Sequence, residues 1–210
     1  MKYKILIAVL AIALYSSAQT ADNRNNLSIG FGTQNYNGVL ENTWFDFEYE
    51  TYGASMINYS RYINPSFDFM ASTTVGNFGH CRDGDEVYWP DGAVELNMKS
   101  MLVTANVTVK YKFANGYIIK EDAKIAPFIY LGAGANPVLD MWTHRVDPGV
   151  YLSAVGGVGL RYNITTKFNF TYIMGFGVFN NDKMDYGNLY APTPMNPMYM
   201  QNTYTLGYTF

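Results

Sequence analysis

Met101-Leu102-Val103-Thr104-Ala105-Asn106-Val107-Thr108-Val109-Lys110-Tyr111-Lys112-Phe113 alternates with period two. Met101, Val103, Ala105, Val107, Val109, Tyr111 and Phe113 share one face. Leu102, Thr104, Asn106, Thr108, Lys110 and Lys112 share the other. Successive side chains of a β-strand point to opposite sides, so this stretch reads as a strand with one apolar face and one mostly polar face. A helical period would have mixed the two sets.

The same rhythm recurs on both sides of it. Phe168, Phe170, Tyr172, Met174, Phe176 and Val178 alternate with Asn169, Thr171, Ile173, Gly175 and Gly177. Near the end of the chain, Met200, Tyr204, Leu206, Tyr208 and Phe210 alternate with Gln201, Thr203, Thr205, Gly207 and Thr209, broken only by Asn202. Weaker alternation marks 26–36, 43–63, 67–77, 125–135 and 150–164, which brings the expected total to eight strands. Asn64-Pro65-Ser66 and Thr165-Thr166 are tight-turn sequences, and Asn115-Gly116 is a hairpin signal. The stretches 78–97, 136–149 and 179–197 read as long polar or Pro-rich loops. Short turns at one rim and long loops at the other are the asymmetry of an outer-membrane barrel.

The first residues read as an export signal. Lys2 and Lys4 precede an apolar run from Ile5 to Leu14, and Tyr15-Ser16-Ser17-Ala18-Gln19 carries small residues around a cleavage point. The expected division is a leader over 1–18, cut after Ala18, and a barrel over 19–210. The apolar run is short against the roughly 20 residues of a spanning helix. No later run is longer, so a membrane-integral mature chain crosses as a closed barrel. A composition of 17% aromatic residues, with 19 Tyr and 19 Gly, suits lipid-facing girdles and a lumen of small side chains. The net charge of −3 becomes more negative once Lys2 and Lys4 are removed, which argues against a nucleic-acid partner. Cys81 is the single cysteine and has no partner for an internal disulfide.

Alternation alone does not distinguish a membrane barrel from a soluble one with its apolar face turned inward around a ligand. Residue size argues for the former. The less apolar face is dominated by Gly, Ser, Thr and Asn, which fit a narrow lumen, whereas the Phe, Tyr, Met and Leu of the other face are too bulky to fill it alone. The fold expected is therefore all-β, an eight-stranded antiparallel up-and-down transmembrane β-barrel.

Three stretches resemble the small outer-membrane barrels related to the transmembrane domain of outer-membrane protein A. They are Asn64-Pro65-Ser66-Phe67-Asp68, the run from Ala126-Pro127-Phe128 to Gly132-Ala133-Gly134, and the terminal Thr203-Tyr204-Thr205-Leu206-Gly207-Tyr208-Thr209-Phe210. The resemblance implies an integral protein of the bacterial outer membrane, in contact with its lipid and lipopolysaccharide. It also implies that the barrel insertion machinery reads the terminal strand, with Tyr204, Leu206, Gly207, Tyr208 and Phe210 as the assembly signal. It brushes lipid A deacylases and palmitoyltransferases too, whose chemistry requires Ser and His in hydrogen-bond reach. The two histidines, His80 and His144, fall in expected outer loops away from any patterned serine, so no catalytic residue is assigned. His80, Cys81, Asp83, Asp85, Glu86 and Asp91 match no metal-ligand spacing. Gly30-Phe31-Gly32 lacks the helix a nucleotide loop needs, so neither metal nor cofactor is expected.

Parity of the strands gathers opposite charges inside the barrel at the short-turn end. Asp68 opens the third strand, Lys110 and Lys112 close the fourth, and Arg161 ends the sixth. Asp68 is expected to bridge Lys110 or Lys112 and Arg161, so that its replacement weakens the fold or opens a small conductance. Glu48 and Glu50 are expected nearer the outer rim. The function expected is non-enzymatic and envelope-structural or surface-interacting; the alternatives are a narrow channel for small or apolar solutes and a lipid-modifying enzyme.

Overall fold

The computed structural model describes residues 24–37, 52–80, 86–89, 92–95, 98–140, 149–180 and 197–210. Ten strands lie within them: β1 (Asn25–Asn37), β2 (Tyr52–Tyr62), β3 (Phe67–His80), β4 (Glu86–Trp89), β5 (Gly92–Glu95), β6 (Met98–Lys112), β7 (Ile125–Asp140), β8 (Gly149–Asn163), β9 (Phe168–Phe179) and β10 (Met198–Thr209). Eight of them close into a barrel in the order β1-β10-β9-β8-β7-β6-β3-β2, every neighbouring pair antiparallel. Closure leaves no unpaired edge among these eight strands. The leader, the stretch 43–51 with Glu48 and Glu50, and Cys81 and His144 lie outside the described residues.

The strands overrun two of the expected loops. β3 continues to His80, and the connection after it carries the separate hairpin of β4 and β5 rather than loop alone. β7 runs through Pro137 to Asp140, although a proline lacks the N–H of a ladder bond. The β6–β7 register explains the tolerance: Leu102 pairs with Val138 and Ala105 with Ala135, while Asn136 and Pro137 pair only with Tyr151 and Val150 of β8. The Asn-Gly signal at Asn115-Gly116 is not a two-residue hairpin either. Asn115 Oδ1 accepts from the N–H groups of Tyr117 and Ile118, both at 3.0 Å, and Gly116 takes φ +83° at the apex of a longer connection to β7. That φ suits a residue without Cβ.

Burial is inverted relative to a water-soluble protein. Phe31 is 73% exposed and Leu131 72% on the outer wall, whereas Thr74, Thr104, Thr203 and Asp68 inside are fully buried. Aromatic rings gather at the short-turn end of that wall. Tyr111 meets Phe67 and Phe113 edge-on at 5.3 and 5.4 Å, and Tyr208 lies 5.3 Å from Phe168 and 6.2 Å from Phe210.

The lumen departs from the expected lining of small polar residues. Met56, Phe128 and Ile173, with Tyr130 against them, form one apolar tier across it. Leu102, Val138, Tyr151, Val155, Phe179 and Tyr199 form a second nearer the long-connection rim. Glycines of facing strands make room for these rings. A Cβ on Gly159 would fall on the Phe128 ring, one on Gly157 or Gly175 on Tyr130, and one on Gly177 on Tyr199. Strand parity alone showed the glycines without the rings that enter the space they leave.

Candidate functional site

The charged tier lies below the two apolar tiers, at the short-turn end. Its geometry starts in the turn before β3, where Asn64 Oδ1 accepts from Ser66 N at 2.9 Å and Phe67 N at 2.8 Å. This Asx turn fixes the start of β3, and Lys112 N donates to Ser66 O at 2.8 Å, so β6 enters register with Asp68 opposite Lys110. Lys112, two residues on, shares the inward face.

Asp68 is fully buried and holds both lysines: Lys110 Nζ stands 2.8 Å from Oδ2 and Lys112 Nζ 2.7 Å from Oδ1. Each ammonium also has an aromatic face nearby, Phe128 at 5.2 Å for Lys110 and Tyr62 at 4.2 Å for Lys112. Arg161 reaches the same tier from β8. It donates from an Nη to Thr209 Oγ1 at 3.0 Å. Thr209 Oγ1 also accepts from Asn26 at 3.0 Å and Asn169 at 3.3 Å, which ties β1, β8, β9 and β10 together at one hydroxyl. Asp68, Lys110 and Lys112 thus meet inside the barrel, while the hydrogen bond from Arg161 Nη at the same end goes to the Thr209 hydroxyl and not to the Asp68 carboxylate. A charge is retained in such a place only when it is paired and hydrogen-bonded.

Above this tier the lumen is packed. Between the two apolar tiers a void of about 10 Å³ is lined by Met56, Tyr130, Ile173, Tyr199, Asn106 and Gln201 among others, room for about one water. Among the described residues, no three His, Cys, Asp or Glu side chains come together as metal ligands. His80 ends β3, and the other histidine, His144, lies outside the described residues.

The terminal strand β10 pairs with β1 on one side and β9 on the other. Tyr204, Leu206, Tyr208 and Phe210 all face outward and stay exposed. Gly207 faces the lumen beside Asn169 and Asn26. Sequence reasoning missed the plug residues Phe128, Tyr130, Tyr151, Phe179 and Tyr199. Their only signal is a large ring at inward parity opposite or near a glycine, and reading it requires the register.

No protein-family model and no curated sequence matches the chain. Solved structures do match its fold. Neisserial surface protein A superposes with a TM-score of 0.57 at 11% identity, over 89% of this chain and 97% of that one. OprG from Pseudomonas aeruginosa gives 0.52 at 10%, over 92% and 99%. Ail, the attachment invasion locus protein of Yersinia pestis, solved with the heparin analogue sucrose octasulfate, gives 0.51 at 12%, over 90% and 99%. The chain therefore has the fold of the small outer-membrane barrels.

Proposed function

We propose that this is an integral outer-membrane barrel with a structural or surface-interacting role in the envelope, exported by a leader over 1–18 and without enzymatic activity. What carries the reading is the lumen: a charged tier and two apolar tiers stacked across it, with room for about one water between the latter. A barrel filled in this way holds its wall together, and among the described residues it leaves solutes no continuous path. The inverted burial supports the membrane setting, because an apolar outer wall on a closed hydrogen-bond ladder is what a bilayer tolerates. Outer-membrane lipid and lipopolysaccharide are the proposed partners of that wall, and the barrel insertion machinery the proposed reader of β10.

Planar-bilayer recording of the refolded mature chain tests this reading. Bilayers that receive folded, heat-modifiable barrel and show no discrete conductance steps support it. Reproducible steps from the unmodified protein would overturn the closed-lumen role in favour of a channel.

A further inference from the structure

The geometry points to a binding site for one anionic glycerophospholipid on the outer wall over β1, β10 and β9. Its phosphate would be held by cations at the short-turn rim and one acyl chain would lie in the groove above them. The site rests on the membrane reading above, which makes the short-turn rim the periplasmic one and the lipid an inner-leaflet phospholipid.

The groove is a depression of about 360 Å³ on the outer wall, bounded by Ile29 and Phe31 of β1, Tyr204 and Leu206 of β10 and Phe170 of β9, with Gly30 among its lining residues. Gly30 is held close against the β10 backbone, where a side chain would collide with Tyr204 O and Thr205. Gly30 and Thr205 carry inward parity, so on the outer wall only their backbone lies between the exposed side chains that bound the depression.

Two exposed cations stand at its lower end, Arg61 on β2 and Lys167 in the turn before β9. Arg61 is exposed on the outward face of β2 and pairs across the ladder with Asn25. Lys167, also exposed, lies beside β10: its carbonyl accepts from Thr209 N at 2.7 Å, and its Nζ sits 6.0 Å from the centroid of Tyr208, an outward ring just below the groove. Adjacent strands are about 4.8 Å apart, so the three intervals from β2 to β9 make the arc roughly 14 Å, which the long Arg61 and Lys167 side chains narrow toward a headgroup between them. The described acidic residues of this rim besides Asp68 are Glu121 and Asp122, both in the β6–β7 connection.

The vertical spacing fits as well. From Thr209 to Leu206 and Tyr204 is roughly 10 to 17 Å of strand at about 3.3 Å per residue. With the strands tilted by about 45° that is a depth of roughly 7 to 12 Å, inside the ~15 Å of hydrocarbon belonging to one leaflet. Lysine and arginine stems lying along an apolar wall with their charges at the interface are the ordinary way such residues meet phosphate.

The test is native mass spectrometry of the mature chain folded in neutral detergent and titrated with phosphatidylglycerol or phosphatidylcholine of identical acyl chains. One phosphatidylglycerol retained per barrel at least fivefold more strongly than phosphatidylcholine is the expected result. The preference should vanish in the Arg61→Gln/Lys167→Gln double variant and in 1 M salt, where the Debye length falls to about 3 Å. Ile29→Trp, which narrows the groove, should weaken both lipids together. Equal retention of the two lipids by the unmodified barrel, or an undiminished preference in the double variant, would overturn the site. Heat-modifiable migration is read on the same samples: a chain that never forms a heat-modifiable barrel overturns the membrane reading, whereas a folded barrel without lipid preference overturns this inference alone.

Discussion

Phe128 stands directly across the β7–β8 ladder from Gly159, and its ring occupies the place where a Cβ on Gly159 would be. The ring is nearly fully buried, packed with Met56 and Ile173. The barrel thus keeps an aromatic in a narrow lumen by omitting a side chain opposite it.

Gly159→Ala should therefore destabilise the barrel by about 1 to 3 kcal/mol, the usual cost of inserting a methyl group into a packed core. The check is the urea midpoint of unfolding, followed by the heat-modifiable band. Phe128→Leu in the same background should recover part of the loss, because the shorter side chain vacates the space. A Gly159→Ala barrel as stable as the parent would mean that the ring has free room to move.

Asp68 is the anion that holds Lys110 and Lys112 in the lumen. Asp68→Ala leaves both ammonium groups buried without it, and removing one member of a buried pair costs about 3 to 5 kcal/mol. Replacing Asp68 with Leu together with Met at both lysines should restore most of that stability, since the uncompensated charge goes with them. The comparison is again by equilibrium unfolding, and a triple variant as weak as Asp68→Ala would show that packing rather than charge dominates.

Much of this was legible in the sequence. The alternation at 101–113 assigned Lys110 and Lys112 to one face, and the Asn64-Pro65-Ser66 turn placed Asp68 beside them once β3 and β6 were neighbours. The apolar tiers were not legible, because a ring such as Phe128 or Tyr199 joins the inward face of a strand only by parity, and its fit depends on which glycine the register sets opposite it on the neighbouring strand. The extension of β7 through Pro137 was hidden for a related reason: proline breaks a ladder on average, and only the register shows that its β6 side is unpaired there.

The last strand offers a test of assembly rather than stability. Phe210 N donates to Asn25 O at 2.8 Å, and its outward ring stacks with Tyr208 at 6.2 Å. Phe210→Asp should lower the amount of folded protein in outer-membrane fractions several-fold at unchanged synthesis, while Phe210→Tyr should leave it near the parent value. Undiminished insertion of Phe210→Asp would remove β10 as the assembly signal.

Conductance separates the contributions of the tiers. Asp68→Ala removes the anion of the lowest tier, but Phe128 and Ile173 above it and Phe179 and Tyr199 beyond them still cross the lumen. This single variant should therefore stay electrically silent in planar bilayers even though it is less stable. Opening a path requires all three tiers to be thinned, as in Asp68→Ala/Phe128→Ala/Tyr199→Ala. The two truncated rings are chosen because glycines flank them, Gly159 for Phe128 and Gly177 for Tyr199, so no neighbouring side chain is placed to refill the space. The triple variant should give small, reproducible conductance steps where the parent and each single variant give none. Steps from Asp68→Ala alone would mean that the charged tier by itself seals the barrel and that the rings above it yield to water.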